Sequence, residues 1–256
     1  LTNEFLAEQM KAFVNDSDLN RSEEIKLMKI YDNPLIGIAS TQDPMFKMLK
    51  KPEVIGPHHL MPGEWLEGAK TVISYFLPYS EAVRISNRVK GNPSTEWLHG
   101  RYEGEVMNNA LKTFVVDLIN NYGGKAVAPT LDARFGLTEK RSNWSERHAA
   151  YIAGLGTFGL NKSLITVKGC AGRYGSVITD IEMKPTPRDY TDIYEYCTMC
   201  GGCIPRCPVG AITPGGKDIL ICEAYLDNEV LPKYTPRYGC GKCQTAVPCE
   251  SKLPKK

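Results

Sequence analysis

The spacing of the cysteines constrains this chain more than any other feature of its sequence. Eight of the nine lie between Cys197 and Cys249, and only Cys170 stands apart. Cys197, Cys200, Cys203 and Cys207 are separated by two, two and three residues and followed by Pro208. This is the iron–sulfur spacing in which three thiolates grip one cubane and the fourth reaches a neighbouring one. Gly201 and Gly202 tolerate the tight turns required, and Pro208, with no N–H to donate, redirects the chain after the fourth thiolate. Cys222, Cys240, Cys243 and Cys249 complete the set. By two-cluster logic Cys197, Cys200, Cys203 and Cys249 hold one [4Fe-4S] cluster, and Cys207, Cys222, Cys240 and Cys243 hold the other. The competing reading is a zinc site on Cys240 and Cys243, which leaves Cys207 with no cluster to reach.

The concentration of cysteine also divides the chain. Its 256 residues suffice for one sizeable domain and a small module, and the composition breaks at the Pro-rich run Lys184-Pro185-Thr186-Pro187. We therefore expect residues 1–184 to form a cofactor and substrate domain and 185–256 a ferredoxin-like module. The formal charge of +2 drops to about −2 once two clusters of net charge about −2 are loaded, so the chain lacks the basic signature of nucleic-acid binding. No leader pattern and no apolar run near the roughly 20 residues that span a bilayer is present. The expectation is a soluble, cytoplasmic protein with no membrane partner, in which thiols serve as metal ligands rather than disulfides.

Residues 3–14 read as an amphipathic helix, 22–30 as a second, 71–77 as a buried strand and 105–122 as the clearest helix, with Met107, Leu111, Val115 and Ile119 on one face. A short strand at 125–128, a helix through 144–153 and strands at 163–168 and 175–183 follow. This alternation predicts an α+β protein whose first domain is α/β or α+β.

The stretch His148-Ala-Ala-Tyr-Ile-Ala-Gly-Leu-Gly-Thr-Phe-Gly-Leu-Asn-Lys162, then Gly175-Ser-Val-Ile-Thr-Asp180 and the cysteine module, resembles the epoxyqueuosine reductases and, more distantly, the reductive dehalogenases. The likeness runs from about Pro129 to Pro248, with a weaker echo in Leu66 to Tyr79. It implies a nitroreductase-like α/β domain holding base-off cobalamin, which the clusters reduce and which then acts on a substrate. It implies cofactor contacts from Gly154, Leu155, Gly156, Phe158, Gly159, Asn161 and Lys162, and a proton-donating acid at Asp132. The alternative for the glycines is a helix-to-strand turn that packs the core. Two features depart from the family. The sequence stops at Lys256 without the helical-repeat region that helps hold tRNA, which puts a tRNA substrate in doubt and favours a small molecule or modified nucleoside. Five residues, ending in Pro248, separate Cys243 from Cys249, where the family uses three.

Among other candidates, His58 and His59 point apart as neighbours in sequence and suit a loop or pocket rim. His148 and Tyr151 suit helix packing, and Cys170 reads as a turn thiol. Of Arg134, Arg141, Arg147 and Arg173, one or two are expected at the cofactor. The leading expectation is thus a corrinoid-dependent reductase fed by an external low-potential electron donor. The alternatives are an electron-transfer or activating protein for a partner corrinoid protein, and a flavin-dependent reductase.

Overall fold

The structure, a computed structural model, describes residues 1–255. Helix α1 (Asn3–Asp16) starts where the Thr2 hydroxyl accepts from the Phe5 N–H, and buries Leu6, Met10 and Val14. Strands β1 (Leu35–Ser40) and β2 (Thr71–Pro78) precede the long helix α2 (Thr95–Asn121), capped by Ser94. There follow β3 (Ala126–Val127), α3 (Glu146–Ile152), β4 (Gly156–Phe158), β5 (Leu164–Thr166) and β6 (Gly172–Thr179). In the cysteine-rich part the main helix is α4 (Ile219–Tyr225).

The central sheet runs β1-β2-β6-β3, antiparallel throughout, with Ile38 opposite Ile73 and Ile73 opposite Val177. Every residue of β2 is buried, because both faces of the sheet are covered. Ile73, Tyr75 and Leu77 meet α1 and α2 on one side, while Val72 and Ile178 meet Trp144, Ala149 and Ile152 from α3 and its entry on the other. The alternation of a pleated strand thus feeds two separate cores. A third, small core gathers Leu160, Ile212 and Val247 around the cysteines.

Three expectations change. Residues 22–30 form no α-helix but one 3-10 turn at Glu23–Ile25; Arg21–Ser22 pairs with Met28–Lys29 across a turn in which Lys26 and Leu27 are left-handed. So short a run gains too little from helical hydrogen bonds to repay nucleation, and the turn buries Ile25 and Ile30 instead. Helix α2 begins ten residues before the apolar periodicity at 105, because the buried face of its first turns includes Gly100 and Gly104, on which Tyr79 and Tyr31 pack, and glycine leaves no apolar period. The composition break at 184/185 is not a structural one. Thr186 exchanges two 2.9 Å bonds with Ile38 on β1, and Tyr190 is buried in the second core with its hydroxyl donating to the Tyr151 carbonyl at 2.5 Å. The segment belongs to the sheet domain as far as about Cys197.

His59 is fully buried with neither ring nitrogen partnered, stacked on Trp144, so it is a core residue and not a pocket rim. Burial holds both His59 and His148 near pKa 4, against an ordinary 6.5. The unfolded chain therefore binds protons that the folded chain refuses below pH 6.5, and stability falls as pH drops from there towards 4. We expect about 1–2 kcal/mol lost per histidine at pH 5. Urea midpoints at pH 7 and pH 5 check this, and His59→Phe should narrow the difference; equal midpoints for the two proteins' pH dependence would contradict it.

Candidate functional site

A half-open cavity of about 630 Å³ lies between the sheet domain and the cysteine module. Its floor is a polar stripe of α2, formed by Trp97, Arg101, Glu105 and Lys112. Steps of four, four and seven residues place them on one helix face. Lys112 is buried, bonded to Asn109 at 3.1 Å and 3.6 Å from the Glu105 carboxylate, which also pairs with Arg173. One wall is the start of α3 with Ser145, Glu146 and Arg147; the opposite wall holds Cys207, Cys222, Cys240 and Cys243. Cys197, Cys200, Cys203 and Cys249 are not among the lining residues.

Burial pushes the Cys243 thiol up to about 12, with Cys240 and Cys222 among the neighbours that add to it. Burial likewise raises Cys203 to about 11, helped by Cys249, Cys197 and Cys200. Burial alone would discharge Lys217, yet Cys243 and Cys222 hold its pKa above the ordinary value. No three His, Cys, Asp or Glu side chains converge closely enough to hold a single metal ion among the described residues, whereas zinc needs that tight tetrahedron and a cubane spreads its thiolates wider. The indole Nε1 of Trp97 is a buried donor without a protein partner. It packs against Gly241, whose backbone is left-handed and where a Cβ would strike the ring. A group seated among Cys207, Cys222, Cys240 and Cys243 gives that donor an acceptor, so the residues present suit a sulfide-bearing cluster.

Glu146 is only half-buried by surface area, but the surface it shows is turned into the cavity. Burial raises its pKa above the ordinary carboxyl value, against the pull of Lys112 and of the Ser176 and Thr130 hydroxyls. Ser176 donates to it at 2.5 Å and Thr130 at 3.3 Å, and Trp144 Nε1 donates in turn to Ser176 at 2.9 Å.

Asp132 does not line the cavity. Thr130 and Phe135 of the same loop do, while Asp132 turns away and is clamped by Arg134 at 2.7 and 2.8 Å. Arg134 holds its pKa at about 2, so in this arrangement it has no proton to give. The Gly154–Lys162 stretch also departs from expectation. Of Gly154, Leu155, Gly156, Phe158, Gly159, Asn161 and Lys162, only Asn161 reaches the cavity. The amides of Gly154, Leu155, Gly156, Phe158, Gly159 and Lys162 already donate within the protein, to Tyr151, Ala150, Tyr190, Ile193, Ser163 and Gly159. None is free for a cofactor; Gly156 serves the close approach of β4 to β5, while the left-handed Gly154 packs against Thr186 and Pro187. Arg147 and Arg173 line the cavity, whereas Arg134 lies over Trp65 and Arg141 binds the carbonyls of Pro52 and Ile55. Sequence reasoning missed the α2 stripe, Glu146 and Lys217; the four-residue spacing of Trp97, Arg101 and Glu105 is the signal that held the first.

Comparison with known proteins agrees with this geometry. The family model described as a 4Fe-4S binding domain matches residues 190–213, which contain the Cys197–Cys207 run. An epoxyqueuosine reductase of Francisella cf. novicida (strain Fx1) is 28% identical over 218 residues, covering 78% of this chain and 58% of that protein. This chain is similar in sequence to the epoxyqueuosine reductases. It spans less than two thirds of the length of the curated epoxyqueuosine reductases it matches. The fold is shared with an epoxyqueuosine reductase solved with an epoxyqueuosine-modified tRNA stem loop (TM-score 0.56, 19% identity, 96% of this chain and 64% of that one). It is shared too with a reductive dehalogenase whose structure suggests a mechanism for B12-dependent dehalogenation (TM-score 0.56, 15% identity, 84% of this chain and 30% of that one). No helix among the described residues is long and apolar enough to cross a membrane.

Proposed function

We propose that this chain is a two-cluster iron–sulfur oxidoreductase whose cavity holds a base-off corrinoid and accepts a small molecule or modified nucleoside. The observation that supports it most directly is the partition of the cysteines: Cys207, Cys222, Cys240 and Cys243 face the cavity, and the other four do not. Such a layout gives one cluster contact with the reacting centre and leaves the other to receive electrons. Cys200 is exposed beside the exposed Met199, which makes that edge the entry point for an external donor.

A volume of about 630 Å³ falls in the usual range of cofactor pockets, roughly 300–1,000 Å³, and the open side leaves room for a substituent to extend outward. The neutral polar side chains of Asn109, Ser142, Ser145 and Gln244 on its walls suit the amides that rim a corrin. When bound, the corrinoid supplies the one-electron and nucleophilic chemistry of cobalt. The chain's own residues do the rest. The four cavity-facing thiolates hold the electron source, the Glu105–Lys112–Arg173 network fixes the floor, and Glu146, its pKa raised by burial, turns its carboxyl group to the substrate space as the proton donor. Asp132 takes that role only if its loop swings inward. Loop movement of this kind is named for a Bacillus subtilis epoxyqueuosine reductase (TM-score 0.50, 19% identity, 98% of this chain and 67% of that one), solved with its catalytic aspartate loop swung out of the active site.

The test is cofactor retention. Protein loaded with iron and sulfide without oxygen is mixed with hydroxocobalamin, or separately with FMN, and passed through gel filtration. A base-off spectrum co-eluting with protein at about one equivalent is expected. Free elution of cobalamin would overturn the corrinoid reading, leaving an electron carrier if FMN also elutes free and a flavin enzyme if FMN is retained.

A further inference from the structure

Cys170 is the one cysteine that the cysteine pattern does not use, and it is completely buried. Its Sγ lies 3.8 Å from Sγ of Cys249. The contact is fixed by backbone on both sides. Cys170 N–H donates to the Cys249 carbonyl at 2.9 Å and Ala171 N–H to the Glu250 carbonyl at 3.2 Å. Gly169, left-handed, lies so flat against Glu250 and Ser251 that a Cβ has no room. From the far side Glu250 is pinned by Arg88 at 2.7 Å, Arg84 at 3.4 Å and the Ala246 N–H at 2.6 Å.

A thiol that only filled space in a turn would have no reason to be aimed at a ligand sulfur by two backbone bonds. A ligand thiolate still has lone pairs to satisfy, and here no water-facing surface of Cys170 is available to supply a donor. A thiol S–H is a donor, though a weak one, and Cys249 Sγ at 3.8 Å is the acceptor placed within its reach. Hydrogen bonds to cluster sulfurs are among the factors that set the reduction potential, and they raise it because the reduced cluster carries more negative charge.

Resting on the two-cluster reading above, we propose that Cys170 is a dedicated hydrogen-bond donor to Cys249 that raises the potential of the cluster held by Cys197, Cys200, Cys203 and Cys249. It acts through a ligand and is a positioning residue for electron entry, not a ligand itself. The cluster facing the cavity has no such thiol and stays the more reducing of the two with respect to this contribution.

The experiment is an EPR-monitored redox titration of wild-type, Cys170→Ala and Cys170→Ser proteins, each reconstituted without oxygen and assayed for iron. About eight irons are expected in all three. In Cys170→Ala one of the two midpoint potentials should move negative while the other stays; in Cys170→Ser, whose hydroxyl donates to the same sulfur, it should return towards wild type. Unchanged potentials in Cys170→Ala would overturn the proposal, and so would loss of about four irons, which would make Cys170 a ligand. Wild-type protein with well under eight irons would instead remove the two-cluster reading itself.

Discussion

Cys222→Ala protein, reconstituted without oxygen, should hold about four irons where the parent chain holds about eight, and should lose substrate turnover altogether. Cys222 is the informative ligand because of the helix that carries it. Helix α4 has no buried side chain, exposes Ile219, Leu220 and Ile221, and is capped by Asp218. Its packing therefore adds little stability, and removing the sulfur leaves the cores of the sheet domain untouched. The same reasoning makes α4 depend on the metal, since ligand bonds formed only in the folded state contribute folding energy. Hydrogen exchange over residues 219–226 should accelerate strongly in apo protein and in Cys222→Ala, while β2 and β6 stay protected. Cys200→Ala, at the exposed ligand, should likewise halve the iron but leave α4 protected. Two variants that each retain about eight irons would end the two-cage assignment.

Replacing Glu146 by Gln should lower turnover by about 10²–10⁴-fold, the usual worth of a positioned proton donor, while iron and cobalamin contents hold. The amide oxygen can accept from one of the Ser176 and Thr130 hydroxyls while its NH2 donates to the other, and it has no acidic proton. Asp132→Asn is the matched control. Breaking the Asp132–Arg134 clamp, whose partners are partly exposed, should cost about 1 kcal/mol or less, and turnover should stay within a few-fold of the parent. The reverse result, a dead Asp132→Asn and an active Glu146→Gln, would mean that the 129–136 loop moves in and that Asp132 loses its low pKa on the way. A pH–rate profile separates the two, because Glu146 begins from a raised pKa and its acid limb should shift when it is replaced.

Much of this was legible in the residues. The cysteine spacing announced an iron–sulfur module, and the β2 run and the apolar face of α2 announced the sheet and its main helix, because burial on a regular element leaves a period in the sequence. What stayed hidden depends on elements that meet only after folding. Lys112 and Glu146 are 24 or more residues from any cysteine, and nothing local says that they share a cavity with Cys222. The Ala-Gly-Leu-Gly stretch misled for the converse reason. Glycine reports that something approaches the backbone, and in β4 that something is β5 rather than a cofactor. For Asp132 the sequence could not show that Arg134, two residues on, would clamp it and hold its carboxyl ionised in this arrangement.

The pairing of Cys249–Glu250 with Cys170–Ala171 also bears on how such a protein is made. With Cys249 as the fourth ligand, one cage waits for a residue synthesised almost fifty positions after Cys203, and that residue is set in place by a turn laid down long before. A ribosome must deliver the chain through position 249 before that iron can be enclosed, and a ferredoxin-like piece cut away at 185 would leave behind the turn that orients its own last ligand.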